Sequence, residues 1–261
     1  MSKIKIAVDA GHGSKTAGKR TPPMPDNLDF NNDGVIDVKK CELLPEHVAN
    51  VGVCTFLKAE LLRNGFDVYQ SAWDDDNGWN DADVELTTRQ KNIKAAGCKY
   101  SVSVHFNAYG DGKTFNSANG VGTYIHSNPA RVGNSKKLAG LIQKRLCECT
   151  VQKNRGINAE GFALCNCETL GTKASVLVEL AFMTNEKEAT EMVANALFWK
   201  ECAKEICKGF CDMEGKKYVP EGEERIIYRV QVGAYSKLEN AKSQLERVKA
   251  AGFVDAMIKE D

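Results

Sequence analysis

The sequence predicts an α/β fold with a mostly parallel central sheet flanked by helices on both faces. Short apolar segments alternate along the chain with longer segments whose apolar residues recur at helical spacing, and this alternation is typical of parallel sheets. The length of 261 residues suffices for one domain of roughly 200 residues and a small appended unit.

The predicted strands are short apolar segments bounded by polar residues or glycine. In the first part of the chain they are residues 3–9, 67–70, 100–106, 120–126 and 175–180, with a short extended piece at 162–165. Because the carboxyl ends of parallel strands meet at one edge of a sheet, polar residues at those ends are predicted to lie close together.

The predicted helices have apolar residues at helical spacing, and the first two end at Gly65 and Gly97. They span residues 44–64, 86–96 and 130–150, with one or two further helices within 187–212. The polar segments 14–41 and 74–83 are predicted to be loops.

The chain is predicted to contain a first domain, a linker and a small C-terminal unit. The first domain spans residues 1–212, the charged and Gly/Pro-containing linker spans 213–224, and the last unit spans 225–261. In that unit a strand at 226–234, a helix at 238–251 and a strand at 254–258 predict a partial β-α-β arrangement. Such a unit is too short to bury a stable core alone.

Composition excludes several classes of partner. The 35 basic and 35 acidic residues give a formal net charge of zero, so nucleic acid is not an expected partner. No apolar run approaches the roughly 20 residues that span a bilayer, so integral membrane association is not expected. The N-terminus lacks an apolar signal segment, which predicts synthesis in the cytoplasm. The ten cysteines are therefore predicted to be reduced thiols.

Two histidines and two glutamates lie where this sheet edge is predicted to form. His12 and His105 end predicted strands, Glu179 ends the strand at 175–180, and Glu46 opens the first predicted helix. Two imidazoles and one carboxylate make a three-ligand zinc site whose fourth position is left to water. A further carboxylate beside that water can act as the general base. These residues predict one zinc centre.

The carboxylate ligand has two candidates, because Glu42 and Glu46 are four residues apart and could share one face of a helix. Pro45 is better placed in the first turn of a helix than inside one, which puts Glu46 at the helix start and Glu42 in the loop. The residues favour Glu46. His47 and His126 are predicted to be bystanders.

In four segments the chain resembles the zinc-dependent N-acetylmuramoyl-L-alanine amidases of the third amidase family. The segments are residues 6–13, 46–65, 101–108 and 176–185. The resemblance implies that His12, Glu46 and His105 bind zinc and that Glu179 is the catalytic carboxylate.

The same resemblance implies hydrolysis of the amide between N-acetylmuramic acid and L-alanine in bacterial peptidoglycan. The lack of an export signal suits a phage-type endolysin or an autolysin of sporulation, which would act on the wall after release or during lysis. A zinc peptidase acting within the stem peptide and a wall-binding protein without activity are the alternatives.

The C-terminal segment resembles the start of a SPOR domain. The matching residues are 228–236, followed by 239–241. SPOR domains bind glycan strands stripped of their peptides, so the resemblance implies a partial peptidoglycan-binding unit over residues 225–261.

Four further positions carry predictions about the site. Asn107 directly follows the strand that holds His105 and is a candidate for contacting substrate amides, or for forming the turn. Arg89 is predicted either to pair with Glu179 or to face solvent. Residues 184–185 match the family's end-of-strand turn and are predicted to shape the loop.

A calcium site is predicted in the long polar loop. Asp29, Asn31, Asp33 and Asp37 follow the ligand spacing of a calcium-binding loop with a glycine at its sixth position. Lys40 stands where a bidentate glutamate belongs, and a polar turn loop is the alternative.

Overall fold

The computed structural model describes residues 3–74, 77–222 and 231–259. One compact unit spans Lys3–Val219, and a second begins at Pro220. The first unit is built on a six-stranded sheet. Its strands are β1 (Lys5–Ala10), β2 (Asp67–Ser71), β3 (Tyr100–Asn107), β4 (Val121–His126), β5 (Asn154–Glu160) and β6 (Ala174–Phe182).

The strand order across the sheet is β2-β1-β3-β6-β4-β5. The first four strands in this order run parallel to one another, β4 is antiparallel to β6, and β5 is parallel to β4. The predicted mostly parallel α/β sheet is therefore confirmed. Strand β5 was not predicted, because most of its residues are exposed and its sequence carries no apolar run.

The apolar character of the central strands follows from their cover on both faces. Every residue of β6 is buried except Glu179. A carboxylate in such a strand loses hydration and needs either a partner or a function. The fold therefore indicates Glu179 as a candidate functional residue.

Helices cover both faces of the sheet, as predicted. They are α1 (Glu46–Arg63), α2 (Leu86–Ala95), α3 (Ser135–Cys149), α4 (Cys167–Leu170), α5 (Glu186–Glu188) and α6 (Ala196–Met213). Helices α1, α3 and α6 pack together over the larger core, and α2 packs with α4 over a smaller one. In the described part of the chain, no helix is both long and apolar enough to cross a membrane.

Two predicted elements differ in the structure. Residues 162–165 are not extended, because Ala163–Cys165 form a 3₁₀ turn and Asn166 then caps α4. The helix predicted over 130–150 begins only at Ser135, because Gly133 has a positive φ of 52° that interrupts it. The helices predicted within 187–212 are a short π-helical turn and α6.

The second unit contains one helix, α7 (Leu238–Ala250), at the predicted position. Residues 231–234 and 254–258 do not form the predicted strands, and residues 226–230 of that prediction lie outside the described residues. A strand requires a hydrogen-bonded neighbour and an apolar face to cover. Among the described residues of this unit there is no strand to act as a neighbour and no buried side chain.

All ten cysteines are free thiols, and their burial predicts unequal reactivity. Burial raises the pKa of Cys98 to about 11 and that of Cys149 and Cys165 to about 12, whereas Cys41 is exposed. Because the thiolate is the nucleophile, we expect native protein near neutral pH to release about one equivalent of chromophore quickly from a disulfide reagent. Cys41→Ser should remove this fast phase, and a fast phase of several thiols would contradict the prediction.

Candidate metal centre

Three predicted ligand residues converge from three elements of the first unit. His12 follows β1, Glu46 begins α1 and His105 lies near the end of β3. His12 Nε2 lies 3.3 Å from Glu46 Oε2, and His105 Nδ1 lies 3.0 Å from Glu46 Oε1. Within the described ranges, this is the one group of three or more His, Cys, Asp or Glu side chains whose ligand atoms come close enough to hold a metal, all within 4.8 Å of one another.

The structure brings Glu46, not Glu42, to the two histidines. Glu46 is 1% exposed, and its Oε1 also accepts the backbone N–H of Phe106 at 3.2 Å. Glu42 is exposed, and its Oε2 accepts the backbone N–H of Lys39 at 2.9 Å. Pro45 has extended backbone angles and directly precedes the helix. Glu46 is therefore the first residue of α1, and its side chain is buried.

Glu179 lies beside this cluster. It is aligned with His105 across the β3–β6 pair and with Gly122 across the β6–β4 pair. Its Oε2 is buried and has no hydrogen-bond partner among the described residues. Burial raises the pKa of Glu179 to about 8; the charge of His105 opposes this rise, and that of Glu46 adds to it.

The pKa values of His12 and Glu46, but not that of His105, are shifted toward the forms that bind a metal ion. Burial lowers the pKa of His12 to about 4, so its imidazole is neutral near pH 7. Burial alone would raise the pKa of Glu46, but the hydrogen bond and charge of His105, together with His12, lower it to about 2. The same contact with Glu46 raises the pKa of His105 despite burial. A neutral imidazole and an ionised carboxylate are the forms that bind a metal ion.

The turn that carries His12 needs its flanking glycines. A Cβ on Gly11 would lie 2.2 Å from Cε1 of His105, and one on Gly13 would lie 2.5 Å from the backbone nitrogen of Asp83. His12 itself has a left-handed φ of 63°, which costs a non-glycine residue roughly 1–2 kcal/mol. The two glycines therefore allow the turn that carries His12, with its strained backbone, to pack directly against His105.

Comparison with known proteins supplies the family. A model described as N-acetylmuramoyl-L-alanine amidase matches residues 6–212, which contain all four site residues. The chain belongs to the N-acetylmuramoyl-L-alanine amidase family. A SPOR domain model matches residues 224–260.

A curated amidase is similar in sequence to half of this family member. The chain is 30% identical over 130 residues to the N-acetylmuramoyl-L-alanine amidase LytC of Bacillus subtilis (strain 168), a match that covers 50% of this chain. That match covers 24% of LytC, so the chain spans about a quarter of that relative's length.

Solved amidase structures share the fold. The N-acetylmuramoyl-L-alanine amidase from Clostridium difficile 630 superposes with a TM-score of 0.62 at 20% identity, covering 83% of this chain and 100% of its own. The catalytic domain of CwlV from Bacillus (Paenibacillus) polymyxa var. colistinus gives a TM-score of 0.60 at 22% identity, covering 83% of this chain and 100% of its own.

Both predictions for Arg89 in this amidase-family chain are wrong, because it neither pairs with Glu179 nor faces solvent. Its side chain is 2% exposed, and Nη1 donates to the carbonyl of Ala10 at 2.6 Å and to Asp9 at 3.3 Å. Nη2 donates to the carbonyl of His12. Arg89 therefore contacts the turn that carries a ligand.

His47 lies outside the ligand cluster, as predicted, but it contacts the turn that carries His12. It is fully buried, with Nδ1 2.7 Å from the carbonyl oxygen of Gly11 and Nε2 2.8 Å from Oδ2 of Asp81. The amide of Asn50 donates to the same Gly11 carbonyl at 3.0 Å. His126 instead accepts the backbone N–H of Asn128 at 3.0 Å and is not in the ligand cluster.

The polar residues after β3 and β6 mainly shape loops. Asn107 Oδ1 accepts the backbone N–H of Ala108 at 2.8 Å, so substrate contact by Asn107 stays a prediction. Thr184 Oγ1 accepts the N–H of Tyr109 at 3.0 Å, and Asn185 caps the following helical turn.

The predicted calcium ligands are engaged with the backbone of their own loop. Asp29 accepts the N–H of Gly34 at 2.8 Å, and Asp37 accepts the N–H of Phe30 at 2.7 Å. Asn31 and Asp33 are linked at 3.0 Å. Calcium binding here stays a prediction.

Proposed function

We propose that this chain hydrolyses the amide between N-acetylmuramic acid and L-alanine in bacterial peptidoglycan. One observation carries the proposal: the carboxylate of Glu179, whose buried Oε2 has no hydrogen-bond partner among the described residues, stands beside two histidines and a glutamate that converge from three elements. The arrangement occurs in a chain whose family consists of amidases that cut this bond.

The donor set fits zinc. Two imidazoles and one carboxylate are the ligands of catalytic zinc sites with an open position, and His12, Glu46 and His105 would hold the ion. When bound, zinc supplies a Lewis acid that lowers the pKa of water and polarises a carbonyl. The unpartnered Glu179 Oε2 also fits, because a nearby cation would favour its ionised form.

Glu179 is the residue that would move protons. Its free Oε2 is available to accept a proton from water and then to deliver it to the leaving nitrogen of L-alanine. Its Oε2 is buried although the residue is only partly buried, so one oxygen of the carboxylate is shielded from bulk water.

Digestion of purified walls tests the proposal. We expect zinc-loaded protein to release peptides with a free N-terminal L-alanine, detected by mass spectrometry, and to lose this activity on chelation. Cleavage within the stem peptide would favour the zinc peptidase instead. Binding to walls with no released peptide would favour a wall-binding protein.

We also propose separate functions for the two domains of the chain. Residues 1–212 would be the catalytic domain and 225–261 a partial glycan-binding unit, which is supported by the SPOR match. Residues 213–224 are the predicted linker between them, of which the part up to Val219 lies within the first compact unit. Synthesis in the cytoplasm followed by action on the wall during lysis is part of this proposal, and the endolysin and sporulation settings are both compatible with it.

The calcium prediction has a direct test. If Asp29, Asn31, Asp33 and Asp37 bind calcium, the melting temperature should rise in millimolar calcium, because a ligand that binds only the folded state stabilises it. Asp29→Asn should abolish the rise, and an unchanged melting temperature would remove the site.

A further inference from the structure

The backbone of the His12 turn is held at three consecutive carbonyl groups. Arg89 donates to those of Ala10 and His12, which lie on either side of Gly11. His47 and Asn50 both contact the carbonyl of Gly11, which lies between those of Ala10 and His12. All the donors that hold the turn are buried.

Arg89 is itself fixed by further contacts. Its Nε donates to the carbonyl of Val84 at 2.8 Å, and its Nη1 donates to Asp9. Asp9 in turn accepts the hydroxyl of Ser103 at 2.6 Å, and that hydroxyl lies 3.1 Å from Nε2 of His105. The network therefore reaches both histidines of the proposed zinc site without touching the reacting atoms.

We propose that Arg89 is a positioning residue that sets the zinc affinity by holding His12 in its left-handed conformation. The strained φ of His12 persists only where surrounding contacts determine it. A planar guanidinium can donate hydrogen bonds in fixed directions to two carbonyls and a carboxylate at once. A lysine ammonium has the same charge but cannot reproduce this planar arrangement of donors. This inference rests on the zinc site of the proposed function, not on which bond is cleaved.

Arg89→Lys is the informative variant, because it preserves the charge opposite the buried Asp9. We expect its metal-free form to bind zinc about 10–100-fold more weakly than wild type in competition with a chromophoric chelator, as is typical when a residue that orients a ligand is changed. We also expect the visible absorption spectrum of its cobalt(II) form to be altered. Circular dichroism verifies that the variant is folded.

Arg145→Lys is the matched control. Arg145 lies on α3 and makes a two-point hydrogen-bonded ion pair at 2.9 and 3.1 Å with Asp212 on α6, and it contacts none of the three ligand residues. It should leave zinc affinity and the cobalt spectrum unchanged. A folded Arg89→Lys protein with wild-type affinity and spectrum would overturn the inference.

Wild-type protein gives a test if Arg89→Lys does not fold. We expect separate, slowly exchanging side-chain ¹⁵Nη resonances for Arg89 that shift when zinc is added, while those of Arg145 do not shift. Arg89 resonances that do not respond to zinc would overturn the inference. Wild-type protein that binds no zinc at all would instead overturn the proposed function, so the two failures are distinguishable.

Discussion

Replacing Glu179 with glutamine is expected to lower kcat for wall hydrolysis by about 10³-fold, the middle of the range for loss of a general base. That loss corresponds to about 4 kcal/mol of transition-state stabilisation. Glutamine keeps the shape of the side chain but accepts no proton. Zinc content should remain at the wild-type level, because Glu179 is not one of the three converging ligands.

The measurement pairs turbidity loss of purified walls with metal analysis of the same samples. Glu148→Gln is the control, because this glutamate lies on the exposed surface of α3, where its ion pairs with Lys144 and Arg145 are 3.8 Å long. Its activity should match wild type. A Glu179→Gln protein that retains more than about a tenth of wild-type kcat would rule out the general-base role.

Replacing Glu46 with glutamine is expected to weaken zinc binding by more than about 100-fold, beyond the effect of changing a residue that only orients a ligand. The substitution removes the negative charge of the carboxylate whose Oε2 faces His12 and whose Oε1 faces His105. Activity at limiting zinc should be lost in parallel. Equilibrium dialysis against buffered zinc measures the first effect and wall digestion the second.

Glu42→Gln is the matched control for this experiment. Glu42 is the neighbouring acidic residue, four positions earlier, and its carboxylate contacts only a loop N–H in the described structure. Zinc affinity should stay within about twofold of wild type. If Glu42→Gln released zinc and Glu46→Gln did not, the assignment of the carboxylate ligand would be reversed.

The sheet and the convergence of the four site residues were predictable because both depend on short-range patterns. Apolar runs predicted five of the six strands, and polar residues at their ends predicted which side chains would meet. Pro45 indicated where α1 begins, and this position of the helix start favoured Glu46 over Glu42 as the carboxylate ligand.

The residues that hold the ligand turn were not predictable, because their partners are distant in sequence. Arg89 contacts carbonyls 77 and 79 residues away, and His47 contacts a carbonyl 36 residues away. No periodic pattern encodes such contacts. Strand β5 was missed for another reason: it lies at the sheet edge, and its pairing with β4 rather than its own composition makes it a strand.

If the ligand cluster binds a divalent ion, the unpartnered Oε2 of Glu179 should make the stability of the protein depend on metal supply. A carboxyl group whose folded-state pKa is raised to about 8 becomes costly to ionise in the native protein as pH rises above its unfolded value, and a neighbouring dication offsets that cost. Under zinc starvation the same polypeptide should open more often and be degraded faster by proteases. The amount of active enzyme would then follow zinc availability through turnover as well as through occupancy.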